Sequence, residues 1–180
     1  MKLVTSLMLG VAASIALSAG AFAAENNNSA YAPYPGAFGF DGFYAGVLLG
    51  GFFDGTTSYL VAPDTNAISL GAAVGVNFYL TESVLGGFEV QGSADWGKAG
   101  VAFDALALGR VGFAPASDFM FYGAAGGGFA GGKSVYAFGG GVEVAAMDQL
   151  GVRAEVLGIG KWGSRADAIK ADVGLVWHMQ

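Results

Sequence analysis

The sequence predicts an all-β chain, an eight-stranded antiparallel transmembrane β-barrel of up-and-down topology, following a cleaved signal peptide. Three observations predict it. First, 54% of the 180 residues are hydrophobic and only 12% are charged, whereas a soluble domain carries roughly 25% charged residues. Second, beyond the N-terminal leader no run of apolar residues is long enough to cross a membrane as a helix without meeting charge or clustered glycine. Third, strand-length segments alternate, with the charges on one phase and large apolar side chains on the other. A closed barrel reconciles the three, because strands of roughly 9–11 residues cross lipid with every backbone group paired.

The elements follow in order. Residues 1–23 read as a signal peptide: Lys2 is a positive start, an apolar core follows, and Ala21-Phe22-Ala23 fits the small-x-small cleavage pattern. Residues 24–42 read as a mobile periplasmic lead-in, rich in Asn, Pro and aromatics, and residues 43–180 as the barrel. Phe43–Phe53 is apolar on both faces, with Phe43, Ala45, Val47, Leu49 and Phe53 in phase. Ile68–Leu80 alternates cleanly, as do Val84–Trp96, Val101–Phe113, Leu150–Gly158 and Ile169–Trp177. Phe119–Gly131 and Val135–Met147 carry too much glycine for a stable helix and complete the eight. Short turns are expected at Thr81–Ser83, Ala114–Asp118 and Asp148–Gln149 on the periplasmic side. Asp54–Ala67, Gly97–Gly100, Gly132–Ser134 and Gly160–Arg165 are expected outside, and only the first is long.

Nine charges fall within strands: Glu89, Asp95, Asp104, Arg110, Glu143, Arg153, Glu155, Lys170 and Asp172. All take the phase opposite the large apolar residues, which places them in the lumen. On the lipid side an Arg or Lys would cost about 2–4 kcal/mol at mid-bilayer. A soluble barrel would reverse the faces and need a more charged surface. Seven of the charges form the candidate site, an interior ionic network of Glu89, Arg110, Glu143, Arg153, Glu155, Lys170 and Asp172. Arg110 is expected to pair with Glu89 on the neighbouring strand, and Arg153 with Glu143 on one side and Asp172 on the other. Interfacial aromatics form two belts: Phe43, Phe78, Phe113, Phe119 and Trp177 at the periplasmic ends, and Phe53, Trp96, Phe129, Tyr136 and Trp162 at the outer ends.

Other chemistry finds little support. The chain has no cysteine and one histidine. His178 follows Trp177, the last residue of the alternating pattern, and is expected beyond the final strand, solvated. A catalytic triad in the lumen is therefore not expected. Glu89 and Asp95 share a face roughly 20 Å apart at strand spacing, too far for a carboxylate pair. Asp54, Asp64 and Glu82 are expected to be solvated. Gly127–Ser134, "GGFAGGKS", satisfies the spacing of a phosphate loop but is followed by no predicted helix. No cofactor, metal or enzymatic activity is expected, and a net charge of −6 argues against nucleic acid as partner.

Three segments carry a resemblance. "FDGFYAGVLLGG" (Phe40–Gly51) resembles a W-x-G-F-Y-x-G opening, with Phe40 in the tryptophan position. "LGRVGFAPASDFMFYGAAGGGFA" (Leu108–Ala130) and "GGGVEVAAMDQLGVRAEVLGIG" (Gly139–Gly160) resemble the G-R-x-G-Y-A and G-x-G-x-E segments of the same group. Together they are similar to the small eight-stranded outer-membrane β-barrel proteins of Gram-negative bacteria, particularly the alpha-proteobacterial opacity-type porin family. The resemblance implies an outer-membrane location, contact with outer-membrane lipid and lipopolysaccharide, and insertion by the barrel-insertion machinery. The residues point to a monomer with a mainly structural role in the envelope, since an eight-stranded barrel is just wide enough to be filled by its own side chains. Two alternatives stay open: a narrow porin or small-ion channel, and surface recognition through the Asp54–Ala67 loop.

Overall fold

The computed structural model describes residues 38–116 and 118–179. The predicted signal peptide and residues 24–37 of the lead-in lie outside the described residues. Eight strands follow in chain order: β1 (Gly42–Phe53), β2 (Asn66–Tyr79), β3 (Val84–Trp96), β4 (Val101–Ala116), β5 (Phe119–Ala130), β6 (Lys133–Met147), β7 (Leu150–Lys161) and β8 (Ala168–Met179). Each pairs antiparallel with its sequence neighbours, and β8 pairs back onto β1 to close the barrel. Closure leaves no edge strand. The predicted eight-stranded antiparallel barrel of up-and-down topology is therefore the observed one.

Alternation decides which way each side chain points. On β3 the even residues Phe88, Val90 and Trp96 face outward, and Glu89, Gln91, Ser93 and Asp95 are buried inside. The same division holds on β2, β4, β7 and β8, and it resolves β1, where Tyr44, Leu48 and Phe52 turn inward. The nine strand charges all lie inside, each at most 5% exposed.

Most strand ends differ from expectation by one to three residues, and three of the differences have a structural cause. β4 continues to Ala116 through the predicted turn, because its ladder with β5 shifts register between Phe113 and Ala116. Pro115, which has no N–H to give, falls in that irregularity. The β5–β6 connection is two residues, Gly131 and Gly132, with φ of 54° and 76°. Both central positions of such a tight hairpin need positive φ, which glycine adopts freely. The phosphate-loop-like segment is thus a strand, a turn and a strand. Finally, β8 runs to Met179, because it is matched to the start of β1: His178 pairs with Tyr44 and Met179 with Phe43.

Glycine also permits the curvature. On the inner face of β5, a Cβ at Gly126 would lie 2.0 Å from the carbonyl oxygen of Ala107, and one at Gly128 would lie 1.9 Å from that of Ala105. No side chain fits there, so β4 and β5 approach as closely as a small barrel requires.

Apolar groups fill both ends of the lumen. At the turn end, Phe38, Phe40, Leu85 and Met120 are buried. Phe40 is held by its carbonyl, which accepts a bond from Asn77 Nδ2 at 2.9 Å. The end of the lead-in is therefore part of the packed interior, a correction to its reading as mobile, which fails at Phe38 and Phe40 because two rings find an apolar seat. At the loop end, Phe52, Tyr59, Leu60, Val135 and Ile159 belong to the same buried cluster.

Candidate functional site: a braced barrel interior

Between the two apolar ends lies a polar layer. Glu89 on β3 is its hub. Its Oε2 accepts bonds from Arg153 Nη1 at 2.7 Å, Arg110 Nη1 at 2.9 Å and Tyr44 OH at 2.5 Å. Arg110 Nη1 also donates to the Tyr44 hydroxyl. The Oε1 of Glu89 accepts from Gln91 Nε2 at 2.6 Å, which reaches Glu155 Oε1 at the same distance. Tyr122 OH donates to the other Glu155 oxygen at 2.7 Å.

Two guanidinium groups converge on one carboxylate, a repulsive arrangement unless it is offset. Aromatic faces supply part of the offset: the Arg110 guanidinium lies 3.9 Å from the Tyr122 ring centre, and both arginines flank Tyr44 at 5.2 and 5.3 Å. Arg153 also contacts Glu143, its direct cross-strand partner, at 3.4 Å. The second Glu143 oxygen meets His178 Nε2 at 2.5 Å.

A second cluster stands apart from the first. Lys170 Nζ on β8 donates to Asp104 Oδ1 and Oδ2 at 2.8 and 2.7 Å and to Ser93 Oγ at 2.6 Å. The Ser93 hydroxyl donates in turn to Asp104 Oδ2 at 2.6 Å. Asp95, Asp172 and Ser69 are also buried, and Asp172 Oδ1 has no hydrogen-bond partner among the described residues. Among the described residues, six buried carboxyl groups (Glu89, Asp95, Asp104, Glu143, Glu155, Asp172) face three buried Arg and Lys side chains (Arg110, Arg153, Lys170).

Of the seven predicted network residues, Glu89, Arg110, Glu143, Arg153 and Glu155 are joined in one hydrogen-bonded cluster. Lys170 belongs to the second. Asp172 makes no ion pair among the described residues, and the expected Arg153–Asp172 contact is corrected. The register explains this: Arg153 stands opposite Gly174, whereas Asp172 stands opposite Glu155.

The solvated His178 is likewise corrected. It is a β8 residue with no exposed surface, its ring packed at 5.1 Å from that of Phe38 and 5.5 Å from that of Tyr44. Tyr44, Tyr122, Gln91 and Ser93 were also missed as members. Their signal was parity: each alternates with an outward residue, and looking only for charge passed them over.

The predicted aromatics stand in two sets near the strand ends. Phe78, Phe113 and Trp177 are exposed and Phe43 and Phe119 half-buried at the turn end. Phe53, Trp96, Phe129 and Trp162 are exposed and Tyr136 half-buried at the loop end.

The Asp54–Ala67 segment folds inward as a lid. The Asp54 carboxylate accepts the N–H groups of Tyr59 and Leu60, each at 2.9 Å. Asp167, from the β7–β8 loop, accepts Thr56 Oγ1 at 2.6 Å and Thr57 N at 2.7 Å. Lys133 Nζ donates to the Ser58 carbonyl, and Asp64 Oδ2 accepts Ala99 N at 2.6 Å. The lid is thus tied to the β3–β4 and β7–β8 loops and to Lys133 at the start of β6. Desolvation works to raise the Asp167 carboxyl, but the Thr56 and Thr57 bonds outweigh it and hold the group below its ordinary value. The Tyr59 phenol is pushed up by burial first and by the Asp167 charge second, so it stays a donor.

No protein-family model matches the chain, and no curated protein matches it. Among solved structures it is similar to a de novo designed transmembrane β-barrel at 14% identity, with a TM-score of 0.46, covering 81% of this chain and 97% of that one. It is also similar to the outer membrane protein Ail of Yersinia pestis in a phospholipid bilayer nanodisc, at 10% identity, with a TM-score of 0.44, covering 74% of this chain and 99% of that one.

Proposed function

We propose that the chain is an integral outer-membrane β-barrel whose role is structural, its lumen closed by its own side chains. One observation carries the reading: the faces are inverted relative to a soluble barrel. Phe88 and Phe103 expose 65% and 60% of their surface, while Glu143 and Arg153 expose none. In water, so continuous an apolar exterior would drive association. In lipid it is the favoured surface, and the polar groups find partners only in the lumen.

The closed lumen follows from three layers, the lid with Tyr59, the braced polar middle, and Phe38 with Phe40 below. A non-enzymatic, monomeric protein inserted by the barrel-insertion machinery fits this arrangement. The three motifs at Phe40–Gly51, Leu108–Ala130 and Gly139–Gly160 support placing it with the opacity-type porins.

Reconstitution into phospholipid vesicles tests the reading. The unheated protein should migrate differently from the boiled protein in SDS gels, and planar bilayers should show no conductance steps. Steady steps would replace the structural role by a narrow channel. A soluble protein with no mobility shift would overturn the membrane assignment.

A further inference from the structure

We propose that the turn end of the lumen is a proton-operated latch: Phe38 and Phe40 form a plug that grips His178 when its imidazole is protonated and loosens when it is neutral. Such a latch goes beyond the structural role above and works whether or not the lumen conducts.

The plug is seated rather than woven in. Residues 38–41 belong to no strand, and Gly42, with φ of 87°, turns the chain from them into β1. Phe40 has no exposed surface and Phe38 exposes 8%. The two rings pack edge to face at 4.9 Å, and Asn77 Nδ2 donates to the Phe40 carbonyl. A segment outside the ladders opens at lower cost than the barrel it closes.

Beneath the plug lies a seat for a cation. Three aromatic rings surround the His178 ring, with centres at 5.1 Å for Phe38, 5.5 Å for Tyr44 and 6.0 Å for Phe40. Rings at that range attract a cation through their quadrupoles and give a neutral group packing alone. On its other side His178 meets Glu143 Oε1 at 2.5 Å through Nε2. The only other ion pair of Glu143 among the described residues is with Arg153 at 3.4 Å, and Arg153 makes its shorter contact, 2.7 Å, to Glu89. Within this cluster the carboxylates of Glu89, Glu143 and Glu155 face two guanidinium groups, Arg110 and Arg153. A protonated His178 supplies the missing positive charge.

The second ring nitrogen agrees. A carboxylate can only accept, so Nε2 carries a hydrogen toward Glu143 and the added proton sits on Nδ1. Nδ1 is buried with no hydrogen-bond partner among the described residues. No oxygen is there to receive its proton, and Phe38 and Phe40, inclined at 72° and 90° to the imidazole plane, are the ring partners left. The titratable and charged groups on the elements packed against His178 are Tyr44 on β1, Glu143 on β6 and Arg153 on β7, with Asp41 half-buried before β1 and Asp148 exposed in the β6–β7 turn. Because His178 has no exposed surface, its proton enters when the plug lifts and is trapped when the plug seats.

Hydrogen exchange on the mature chain in phospholipid nanodiscs tests this. Protection of the amides of residues 39–41, taken relative to the intrinsic rate at each pH, is read at about pH 5 and about pH 8, on either side of the ordinary imidazole range. The single histidine is followed by NMR, and the heat-dependent gel shift reports the barrel separately. Wild-type protection should be roughly tenfold higher in acid and should follow the His178 titration. His178→Gln, which keeps an N–H for Glu143 and does not titrate, should abolish the difference. Phe40→Leu keeps apolar bulk and should shrink the difference several-fold with His178 still titrating, and it carries the test if His178→Gln folds poorly. Equal protection at the two pH values overturns the inference, as does a difference of opposite sign or a histidine resonance that does not move. A difference that survives in His178→Gln also overturns it, because another group would then be the switch.

Discussion

Glu89 and Arg153 stand on opposite walls of the barrel, on β3 and β7, and their side chains meet at 2.7 Å across the lumen. Gln91 and Glu155 span the same pair of strands at 2.6 Å, and Lys170 and Asp104 span β8 and β4, also opposed, at 2.7 Å. Each contact is a diametral strut. Neighbouring strands are already held by their ladders, so a strut adds what ladders lack, resistance to flattening.

Removing one end of the first strut should be costly. Arg153→Ala leaves Glu89 and Glu143 short of a buried cation and should destabilise the barrel by about 3–5 kcal/mol. Urea unfolding in vesicles measures it. Replacing the charges together by apolar groups of similar size should recover most of that loss, because a buried pair repays little more than its own desolvation.

The second strut should behave independently. Lys170→Met abandons the Asp104 carboxylate and should cost about 3–5 kcal/mol. Because Lys170 and Arg153 share no partner, the double variant should be additive within roughly 0.5 kcal/mol. A larger coupling energy would mean that the two clusters act as one network.

Asp172→Asn should stabilise the protein. The carboxylate has an unpartnered oxygen and stands opposite Glu155 in an interior where acids outnumber cations. The amide keeps the shape and removes one negative charge. A lowered urea midpoint would show instead that the Asp172 charge is needed, for example by Lys170.

The lid should respond to acid. The Asp167 carboxyl is held below its ordinary value when the lid is latched. A depressed folded-state value means that the latch is fully formed above the ordinary carboxylate range and is lost as pH falls through the folded value. Protection of the Thr57 amide, taken relative to its intrinsic exchange rate at each pH, should therefore be high at neutral pH and lost in strong acid. Asp167→Ala should remove that protection at both, with the strands unchanged.

Glycine variants separate a close approach from mere composition. Gly128→Ala drives a methyl group against the Ala105 carbonyl, where 1.9 Å is available. At Gly92 on the outer face a Cβ would meet nothing nearer than 3.8 Å. The first should weaken the barrel in thermal melts of the SDS-resistant form, and the second should lie within about 0.5 kcal/mol of wild type.

Parity made most of this legible in advance. A residue type repeated every second position states which wall of a strand it occupies, so the burial of Glu89, Arg110 or Asp172 could be read directly. Partners could not. Arg153 and Asp172 lie on adjacent strands, but whether they meet depends on register, which the turn between them sets. His178 was misjudged because the final strand takes its length from β1, far away in sequence. The lid's length was plain, but its inward fold was not, because most of its ties end on backbone groups that every residue possesses.

Those ties also have an order in time. Thr56 lies 111 residues before the Asp167 that holds it, and Asp167 stands in the loop between β7 and β8. Contacts that bridge so much of a chain are slow to form. The mouth therefore shuts only after the final strands have arrived, and until then the lumen stands open to water. Latching marks the completed molecule, and a truncated or misjoined barrel would be recognised by the loop it leaves loose.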